Sequence, residues 1–224
     1  MKRILFIAAA VLISIAAVSC TKEKIRYAED GETPLPKAVD LGLSVKWASC
    51  NLGASNEYQN GDYYAWGETK VKYNYTYGVY LYNGDNPEKL PKSKDVARKK
   101  LGSDWRMPTV ADFKELIETI NDDDYDWTAE FGTDSEGEEY LKGWRVTCLR
   151  GKIKGNNVFF PASGFMHSVL GYAGTAGFYW TSEINPEYNQ TAMAFRFFDD
   201  EATIKVTNET TRCYGLPIRP VNVE

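Results

Sequence analysis

The chain has 224 residues, of which 43% are hydrophobic and 25% charged, and its formal net charge is −5. This length suits one domain with a sizeable core, and the negative balance excludes the basic surface on which nucleic-acid binding depends. None of the four cysteines occurs in the CxxC spacing that holds a structural metal, so no metal or other cofactor is expected.

The first 19 residues have the features of a secretion signal. Lys2 and Arg3 precede an apolar stretch over residues 4–18, which is short for a transmembrane helix and is followed at once by polar residues. Removing this signal takes away two positive charges, so the mature chain carries −5 − 2 = −7. Residues 20–37 are mostly polar, which predicts a tether, and residues 38–224 form a single predicted domain.

The signal ends in Ala17-Val18-Ser19-Cys20, which resembles the lipobox of bacterial lipoproteins. That resemblance implies cleavage before Cys20, a diacylglyceryl group on its sulfur and an acylated amino group, which together anchor a protein durably in a membrane. The expected location is the outer membrane of the cell envelope, with the periplasmic and external faces both open. The alternative is an ordinary signal peptide with a coincidental cysteine.

The predicted domain opens with short strands and an aromatic region. Residues 39–48 indicate two strand pieces interrupted by glycine, and residues 62–67 indicate an extended aromatic segment. Five tyrosines follow between residues 73 and 82. They could line a binding surface, but the pattern favours packing of a long loop onto the domain.

Two helices are predicted in the middle of the chain, over residues 95–101 and 110–121. For the second helix, Thr109 and Asp112 form a shortened capping box after Pro108. Apolar residues recur every three or four positions, so one face should join the core while Asp112 and the other charged residues face away. The residues expected on the core face are Val110, Phe113, Leu116, Ile117 and Ile120.

An acidic stretch follows the second helix. Asp122, Asp124 and Asp126 have the first three spacings of a calcium-binding loop. However, Trp127 stands where that loop needs glycine, and Thr133 stands where it needs a bidentate glutamate. These departures favour a solvated acidic helix end over a calcium site.

The second half of the chain is predicted to be rich in β-structure. In the last segment, Pro217 and Pro220 push the final strand toward a sheet edge. Two helices with strands around them predict an α+β domain. The strands are predicted over residues 143–149, 157–162, 178–182, 192–198, 203–206 and 212–221.

Four motifs resemble those of a known family. They are VDLGLSVKWA at residues 39–48, GDYYAWGET at 61–69, WRMPT at 105–109 and RPV at 219–221. They occur in the order typical of the Fibrobacter succinogenes major paralogous domain group, common in lipoproteins of Bacteroidetes, which is similar to the C-type-lectin-like fold of formylglycine-generating enzymes. The resemblance implies two helices flanking a twisted, mostly antiparallel sheet, paired first and last strands, and long loops that carry the ligand surface.

The same resemblance places the ligand surface at residues 124–127 and 165–179. The candidate ligand-binding residues are Trp127, His167, Tyr172 and Tyr179. Trp127 and Tyr172 offer flat apolar faces. His167 offers a donor and an acceptor beside a glycine-rich backbone that a ligand could approach closely, at Gly171, Gly174 and Gly177. The alternative is that these aromatic residues close the core beneath two loops.

The resemblance also implies a disulfide, but the chain lacks two chemical features of the resembled proteins, the copper-binding cysteine pair and the sugar-binding motif. If the first and last strands pair as the resemblance implies, Cys50 and Cys213, which flank them, are the expected disulfide partners, and Cys148 stays free. Formylglycine-generating enzymes bind copper with a cysteine pair near the chain end, where Cys213 stands alone here. C-type lectins bind sugar through Glu-Pro-Asn or Gln-Pro-Asp with calcium, and Asn-Pro-Glu at residues 185–187 matches neither.

The residues themselves do not indicate an enzyme. His167 is the only histidine, Ser163 lacks the Gly-x-Ser-x-Gly context of a hydrolase nucleophile, and 31 acidic residues single out no catalytic pair. We expect a binding module for a glycan or a protein. A structural or assembly subunit of an envelope complex and a glycan-active enzyme are the alternatives. A large exposed apolar patch would favour the assembly subunit, and a recessed aromatic pocket would favour the binding module.

Overall fold

The computed structural model describes residues 25–82, 89–121, 127–133, 142–149, 151–198 and 205–224. The side chains of residues 120, 121, 127–133, 208 and 209 are not described. The predicted signal, the lipidation residue Cys20 and the acidic residues 122–126 lie outside the described residues.

The described residues form an α+β fold with mostly antiparallel sheets, as predicted. Its two helices are α1 (Val96–Leu101) and α2 (Val110–Asn121). Neither described helix has the length and apolar character needed to cross a membrane. The strands are β1 (Ala38–Val39), β2 (Lys46–Ala48), β3 (Trp105–Arg106), β4 (Trp127–Thr133), β5 (Lys142–Cys148), β6 (Asn157–Pro161), β7 (Phe165–Met166), β8 (Leu170–Gly171), β9 (Ala176–Ile184), β10 (Thr191–Phe198), β11 (Lys205–Thr211) and β12 (Val221–Asn222).

The beginning and the end of the domain pair with each other. In the first sheet the strand order is β1-β2-β12-β3, and Val221 lies opposite both Trp47 of β2 and Arg106 of β3. The last strand therefore lies inside a sheet, and its predicted position at an edge is wrong. The reason is that Pro217 and Pro220 precede β12, so neither proline occupies a position in its hydrogen-bond ladder.

The remaining strands form three small antiparallel sheets in the described part of the chain. Their strand orders are β11-β10-β9, β4-β5-β6 and β7-β8. One buried cluster of the core lies where α2 packs against β6, β10 and the first sheet, and another joins α1 to Trp180 of β9. Phe113 of α2 stacks on Phe195 of β10 with ring centres 4.4 Å apart, and Trp47 of β2 lies 5.0 Å from Phe113.

The predicted bounds of α2 are confirmed, and so is its cap. The Thr109 amide donates to Asp112 Oδ2 at 2.6 Å, and the Asp112 amide donates back to Thr109 Oγ1 at 3.1 Å. Phe113 and Leu116 are buried as expected. Asp112 does not face solvent, however: it is 6% exposed and binds Arg106 through both oxygens, at 2.6 and 3.0 Å. Arg106 of β3 thereby joins the first sheet to the start of α2.

We expect Asp112→Asn to lower stability most near neutral pH. Burial raises the pKa of Asp112, but the hydrogen bonds from Arg106 and Thr109 outweigh burial and hold that pKa below its ordinary value of 3.8. A lowered folded-state pKa contributes stability that is present above the unfolded pKa and is lost as the pH falls through the folded one. The substitution should lower the free energy of unfolding by about 2 to 3 kcal/mol near pH 7.

Denaturant unfolding at a series of pH values checks this expectation. The difference between wild type and Asp112→Asn should shrink as the pH falls from about 5 to about 2. Lys114→Gln, a change at an exposed position on the same helix, should show no such trend. A difference that stays constant with pH would contradict the role given to the Asp112 charge.

Several element boundaries differ from the predicted ones. Residues 127–133, for which no strand was predicted, form β4, which pairs with β5 along its full length from Trp127 opposite Cys148 to Thr133 opposite Lys142. Strand β11 runs over Lys205–Thr211 rather than residues 203–206. Residues 25–37, predicted as tether, include a turn with Tyr27 opposite Pro34, and Leu35 there packs against the core.

The predicted disulfide is not formed. The three described cysteines, Cys50, Cys148 and Cys213, are buried, and none of them forms a disulfide bond. Two residues after Cys50, the Leu52 amide donates to the Ile218 carbonyl at 2.9 Å, so the segment that carries Cys50 runs beside position 218, five residues away from Cys213. At roughly 3.3 Å per residue this separation exceeds the reach of a disulfide.

Candidate binding surface

A row of four aromatic rings lies at the surface beside the β7–β8 hairpin. We call it the aromatic row: His167, Tyr214, Phe165 and Tyr172. The Tyr214 ring centre lies 5.1 Å from that of His167 and 5.2 Å from that of Phe165, to which it is nearly parallel. Phe165 in turn stacks on Tyr172 at 5.7 Å. His167 and Tyr172 are exposed, and Phe165 and Tyr214 are half-buried.

Phe178 of β9 supports the aromatic row from the domain side. Its ring meets Phe165 edge-on at 5.3 Å and Tyr172 at 6.2 Å. Met166 fixes the hairpin to the chain segment that carries Tyr214, because its amide donates to the Gly215 carbonyl at 2.7 Å and the Gly215 amide donates back at 2.8 Å. The row is therefore held in place by both packing and backbone hydrogen bonds.

Tyr172 has an unusual backbone conformation. Its φ is +60°, the only positive φ at a non-glycine residue in the described part of the chain. The Tyr172 carbonyl accepts hydrogen bonds from the amides of Thr175 and Ala176 at 3.1 and 2.9 Å, which holds the turn closed. A bulky side chain in this region is disfavoured, and such strain is often found at functional sites.

We expect Tyr172→Gly to be more stable than Tyr172→Ala. Both variants lose the ring contact with Phe165, but only glycine relieves the positive φ, so it should be favoured by about 1 kcal/mol. In an ordinary segment the glycine variant would be the less stable one. Urea unfolding of the two variants measures the difference, and an alanine variant equal to or above the glycine variant would contradict backbone strain at this position.

The tyrosine-containing loop at residues 69–82 lies next to the aromatic row. The Tyr75 amide donates to the His167 carbonyl at 3.0 Å, and the Tyr80 hydroxyl donates to the Trp66 carbonyl at 2.8 Å. Tyr75 and Tyr80 are buried, which confirms that this loop packs onto the domain, whereas Tyr73 is fully exposed.

The loop and the hairpin together display an exposed apolar patch. Eight of the thirteen exposed large hydrophobic residues in the described part of the chain belong to these two adjoining segments. The Tyr75–His167 hydrogen bond joins the two segments, so their exposed residues belong to neighbouring parts of the surface. The eight residues are Val71, Tyr73, Tyr77, Val79, Leu81, Val169, Leu170 and Tyr172.

Two of the four predicted ligand-binding residues meet at this surface. His167 and Tyr172 are the two ends of the aromatic row. Trp127 lies elsewhere, because it begins β4 opposite Cys148, six residues along β5 from Lys142. The Lys142 carbonyl accepts a hydrogen bond from the Ala162 amide, and the Ala162 carbonyl accepts one from the Gly174 amide in the turn after Tyr172. Six residues of strand, roughly 20 Å, therefore separate Trp127 from that turn.

Tyr179 is not available to a ligand, so its predicted role is wrong. It is 0% exposed, and its hydroxyl donates to the Pro161 carbonyl at 2.6 Å. Gly177 on the same strand, predicted to let a ligand approach, instead makes room for Phe197, since a Cβ there would lie 2.3 Å from that ring. Both residues serve the core because β9, although it is the end strand of the β11-β10-β9 sheet, is covered on both faces: Phe178 and Trp180 belong to one buried cluster and Tyr179 to another.

The sequence interpretation missed Phe165 and Tyr214. A signal for Phe165 existed, because it lies two residues before His167 between Gly164 and Gly171, the pattern of a short hairpin. Tyr214 had no comparable signal, since it joins the aromatic row only through the contact between the hairpin and Gly215.

A second concavity lies at the other end of β9 and β10. This groove has a volume of about 1180 Å³, and Tyr188 is the only aromatic residue among the described residues that line it. Glu183 at its wall accepts a hydrogen bond from the Val110 amide at 2.7 Å, which satisfies the start of α2. The groove contains Asn-Pro-Glu at residues 185–187, and within it Asn185 accepts from the Glu187 amide at 2.9 Å.

The most deeply buried charge in the described residues belongs to Arg219. Its three donor nitrogens reach Asn51 Oδ1 at 2.9 Å, the Ala48 carbonyl at 3.0 Å and the Phe159 carbonyl at 2.5 Å. Burial lowers the pKa of Arg219. Because Arg219 is 0% exposed and Asn51 is 1% exposed, this network holds segments of the fold together and does not contact a ligand.

The described residues contain no group of three or more His, Cys, Asp or Glu side chains arranged to hold a metal ion. Comparison with known proteins found no match, whether among protein-family models, curated proteins or solved structures.

Proposed function

We propose that the protein is a lipid-anchored lipoprotein of the bacterial cell envelope whose domain, C-type-lectin-like in fold, binds a glycan or a protein. The aromatic row is the observation that carries this proposal. The family resemblance in the motifs at residues 39–48, 61–69, 105–109 and 219–221 adds support for the fold.

The aromatic row suits a ligand that lies across an open surface. Stacking on Phe165 covers one face of the Tyr172 ring, yet Tyr172 is 57% exposed, so its other face is open to solvent. Rings held by their neighbours lose little conformational freedom when a ligand binds. The row is an open surface and not the recessed pocket expected of a binding module, and an open aromatic surface fits an extended chain, such as a polysaccharide, better than a small molecule that must be enclosed.

Binding measurements on ring-deletion variants test the proposal. Wild type, Tyr172→Ala and Tyr214→Ala are compared on a glycan array and then by calorimetry with the best glycan found. Loss of an aromatic contact at the centre of a site should weaken binding about tenfold to a hundredfold. Tyr188→Ala is the matched control, because Tyr188 is 67% exposed but lies at the far end of the β9–β10 hairpin.

Thermal melts of the same variants separate binding from folding. Tyr172→Ala should keep its midpoint within a few degrees of wild type, because a residue this exposed contributes little to the core. A large fall in the midpoint, or full-strength binding by both Tyr172→Ala and Tyr214→Ala, would remove the aromatic row from the binding surface.

A second candidate is an assembly subunit of an envelope complex. The specific observation in its favour is the exposed apolar patch, in which Val71, Tyr73 and Leu81 are 53%, 103% and 73% exposed. Patches of this kind commonly mark protein–protein contacts. Cross-linking in intact cells followed by mass spectrometry distinguishes the two functions. A cross-link from residues 71–81 to one stoichiometric partner, with no glycan bound on the array, would favour the assembly subunit.

Membrane attachment has its own test. In the proposed lipoprotein Cys20 carries the lipid, so Cys20→Ala should leave the membrane fraction and keep the mass of its signal. Fractionation and intact-mass measurement check both outcomes. A wild-type protein that is unacylated and found outside the membrane fraction would contradict the anchor without bearing on the ligand.

A further inference from the structure

We infer that the ligand of the aromatic row is an anionic glycan, whose carboxylate or sulfate groups bind Arg196 and Lys205. This inference rests on the proposed binding function and specifies its ligand class. We call Arg196 and Lys205 the cation pair.

The cation pair lies on the same sheet face as the support of the aromatic row. Arg196 of β10 is opposite Lys205 of β11 on one side and opposite Phe178 of β9 on the other. Directly opposite residues in antiparallel strands project from the same face, as does Phe198, two positions after Arg196. All four side chains therefore share one face of this sheet.

Ring contacts connect the cation pair to Tyr172. The guanidinium carbon of Arg196 lies 5.7 Å from the centre of the Phe198 ring. Phe198 and Phe178 lie 6.5 and 6.2 Å from Tyr172, and 5.7 Å from each other. A chain ligand stacked on Tyr172 would thus extend toward Arg196 without leaving the surface.

Within the described residues, the two cations lack the carboxylate partners that several other cations have. Arg106 binds Asp112, Arg145 binds Glu57 and Lys72 binds Glu68. Among the described residues no carboxylate forms an ion pair with Arg196 or Lys205, and Arg196 Nε is a buried nitrogen without an acceptor. The connection at residues 199–204, which contains three acidic residues, lies outside the described residues.

A bound anion would compensate this arrangement. Two like charges directly opposite each other on neighbouring strands are unfavourable. A carboxylate or sulfate placed between them accepts hydrogen bonds from the planar guanidinium and from the ammonium group. Because the chain as a whole carries −5, its overall field repels polyanions, and tight binding of one would have to come from a local site such as this one.

The neighbouring rings favour an acidic glycan over an acidic peptide. A polysaccharide of uronic acid or sulfated sugars repeats a ring and an anionic group along one chain, so it can place a sugar on Tyr172 and an anion at Arg196. An acidic peptide would satisfy the cations but offers carboxylates without flat rings for Tyr172.

Calorimetric titration with defined polymers tests the inference on the mature full-length protein. The probes are polygalacturonate for carboxylates, dextran sulfate for sulfates, neutral dextran, and poly-glutamate as the acidic peptide. At least one acidic polysaccharide should bind ten times more tightly than dextran and poly-glutamate, with an affinity that falls as salt rises. The two acidic polysaccharides show which anion the site prefers.

The double variant Arg196→Gln/Lys205→Gln should weaken binding of that polysaccharide at least tenfold and reduce its salt dependence. Lys152→Gln/Lys154→Gln, which removes two charges from exposed positions outside this sheet, should bind as wild type does. Thermal midpoints of both double variants establish that the domain is folded.

Each failure points to a different conclusion. Equal binding of neutral and acidic polysaccharides by wild type and the cation-pair variant, lost in Tyr172→Ala, would overturn the anionic ligand and leave the proposed function standing. Poly-glutamate binding as tightly as the polysaccharides would overturn the glycan class. Binding of no probe, together with no glycan on the array, would overturn both this inference and the glycan-binding function.

Discussion

Arg219→Lys is expected to destabilise the domain by about 3 to 5 kcal/mol, although it keeps the charge and most of the side-chain volume. The guanidinium reaches Asn51 Oδ1 and the carbonyls of Ala48 and Phe159 in three directions. An ammonium group at the end of a lysine side chain is a single point and cannot replace all three contacts. The variant therefore still buries a charge but loses most of the hydrogen bonds that offset the free-energy cost of doing so.

The pH dependence of the Arg219→Lys variant gives a second readout. A buried lysine has a lowered pKa because burial disfavours the charged form, so the folded variant binds its proton less tightly than the unfolded chain does. The stability of the variant should therefore rise as the pH increases from about 7 to about 10, and its deficit against wild type should shrink.

Denaturant unfolding measures both effects, with Arg98→Lys as the control. Arg98 is half-buried on α1 and donates to a single carbonyl, that of Ser103, so its replacement should cost less than about 1 kcal/mol. If Arg219→Lys lowered the free energy of unfolding no more than the control does, the contacts of Arg219 would not be what holds the chain end to β6 and to the segment after β2.

Gly164→Ala is expected to have an effect of similar size and to abolish ligand binding as well. Gly164 has a φ of +60°, and a Cβ there would lie 2.0 Å from the Gly171 carbonyl oxygen and 2.9 Å from the Tyr172 carbonyl carbon. All its close neighbours are backbone atoms, which cannot rotate away as a side chain can. The added methyl group must therefore displace the turn that positions Tyr172.

The expected loss for Gly164→Ala is about 2 to 5 kcal/mol, combining about 1 to 2 for the positive φ with about 1 to 3 for overpacking. Gly174→Ala is the matched control. Gly174 lies in the same turn with a φ of +81°, but a Cβ there meets nothing within 4 Å, so this variant pays only the backbone cost. The difference between the two variants measures the close approach of the hairpin.

Binding by the two glycine variants connects stability to the ligand surface. Gly164→Ala should lose binding to the glycan found on the array, whereas Gly174→Ala should keep most of it. A Gly164→Ala variant that folds as stably as Gly174→Ala and binds at full strength would show that the position of Tyr172 is not set by this contact.

Local chemistry in the sequence was sufficient for the parts of the fold that depend on neighbouring residues. The bounds of α2 could be predicted because a capping box and a helical apolar period lie within one continuous segment, and both act over three or four residues. The α+β class followed from the same kind of local pattern. The burial of Asp112 could not be predicted in this way. Arg106, which binds the Asp112 carboxylate, belongs to β3 and not to the helix.

The difference between Tyr172 and Tyr179 shows what sequence alone left undecided. Residues 176–181 are all buried, since β9 is covered on both faces. A strand buried on both faces has no alternation of apolar and polar residues, so nothing local distinguishes a core tyrosine there from a displayed one seven residues earlier.

The aromatic row depends on contacts between segments far apart in the chain. Phe165, His167 and Tyr172 come from one hairpin, but Tyr214 lies more than forty residues later and reaches them through the pairing of Met166 with Gly215. Composition and the spacing of residues determined that this protein has an amphipathic α2 and a surplus of aromatic residues. Only the packing of the chain decided which of those aromatic residues remain at the surface, because exposure depends on what the rest of the chain covers.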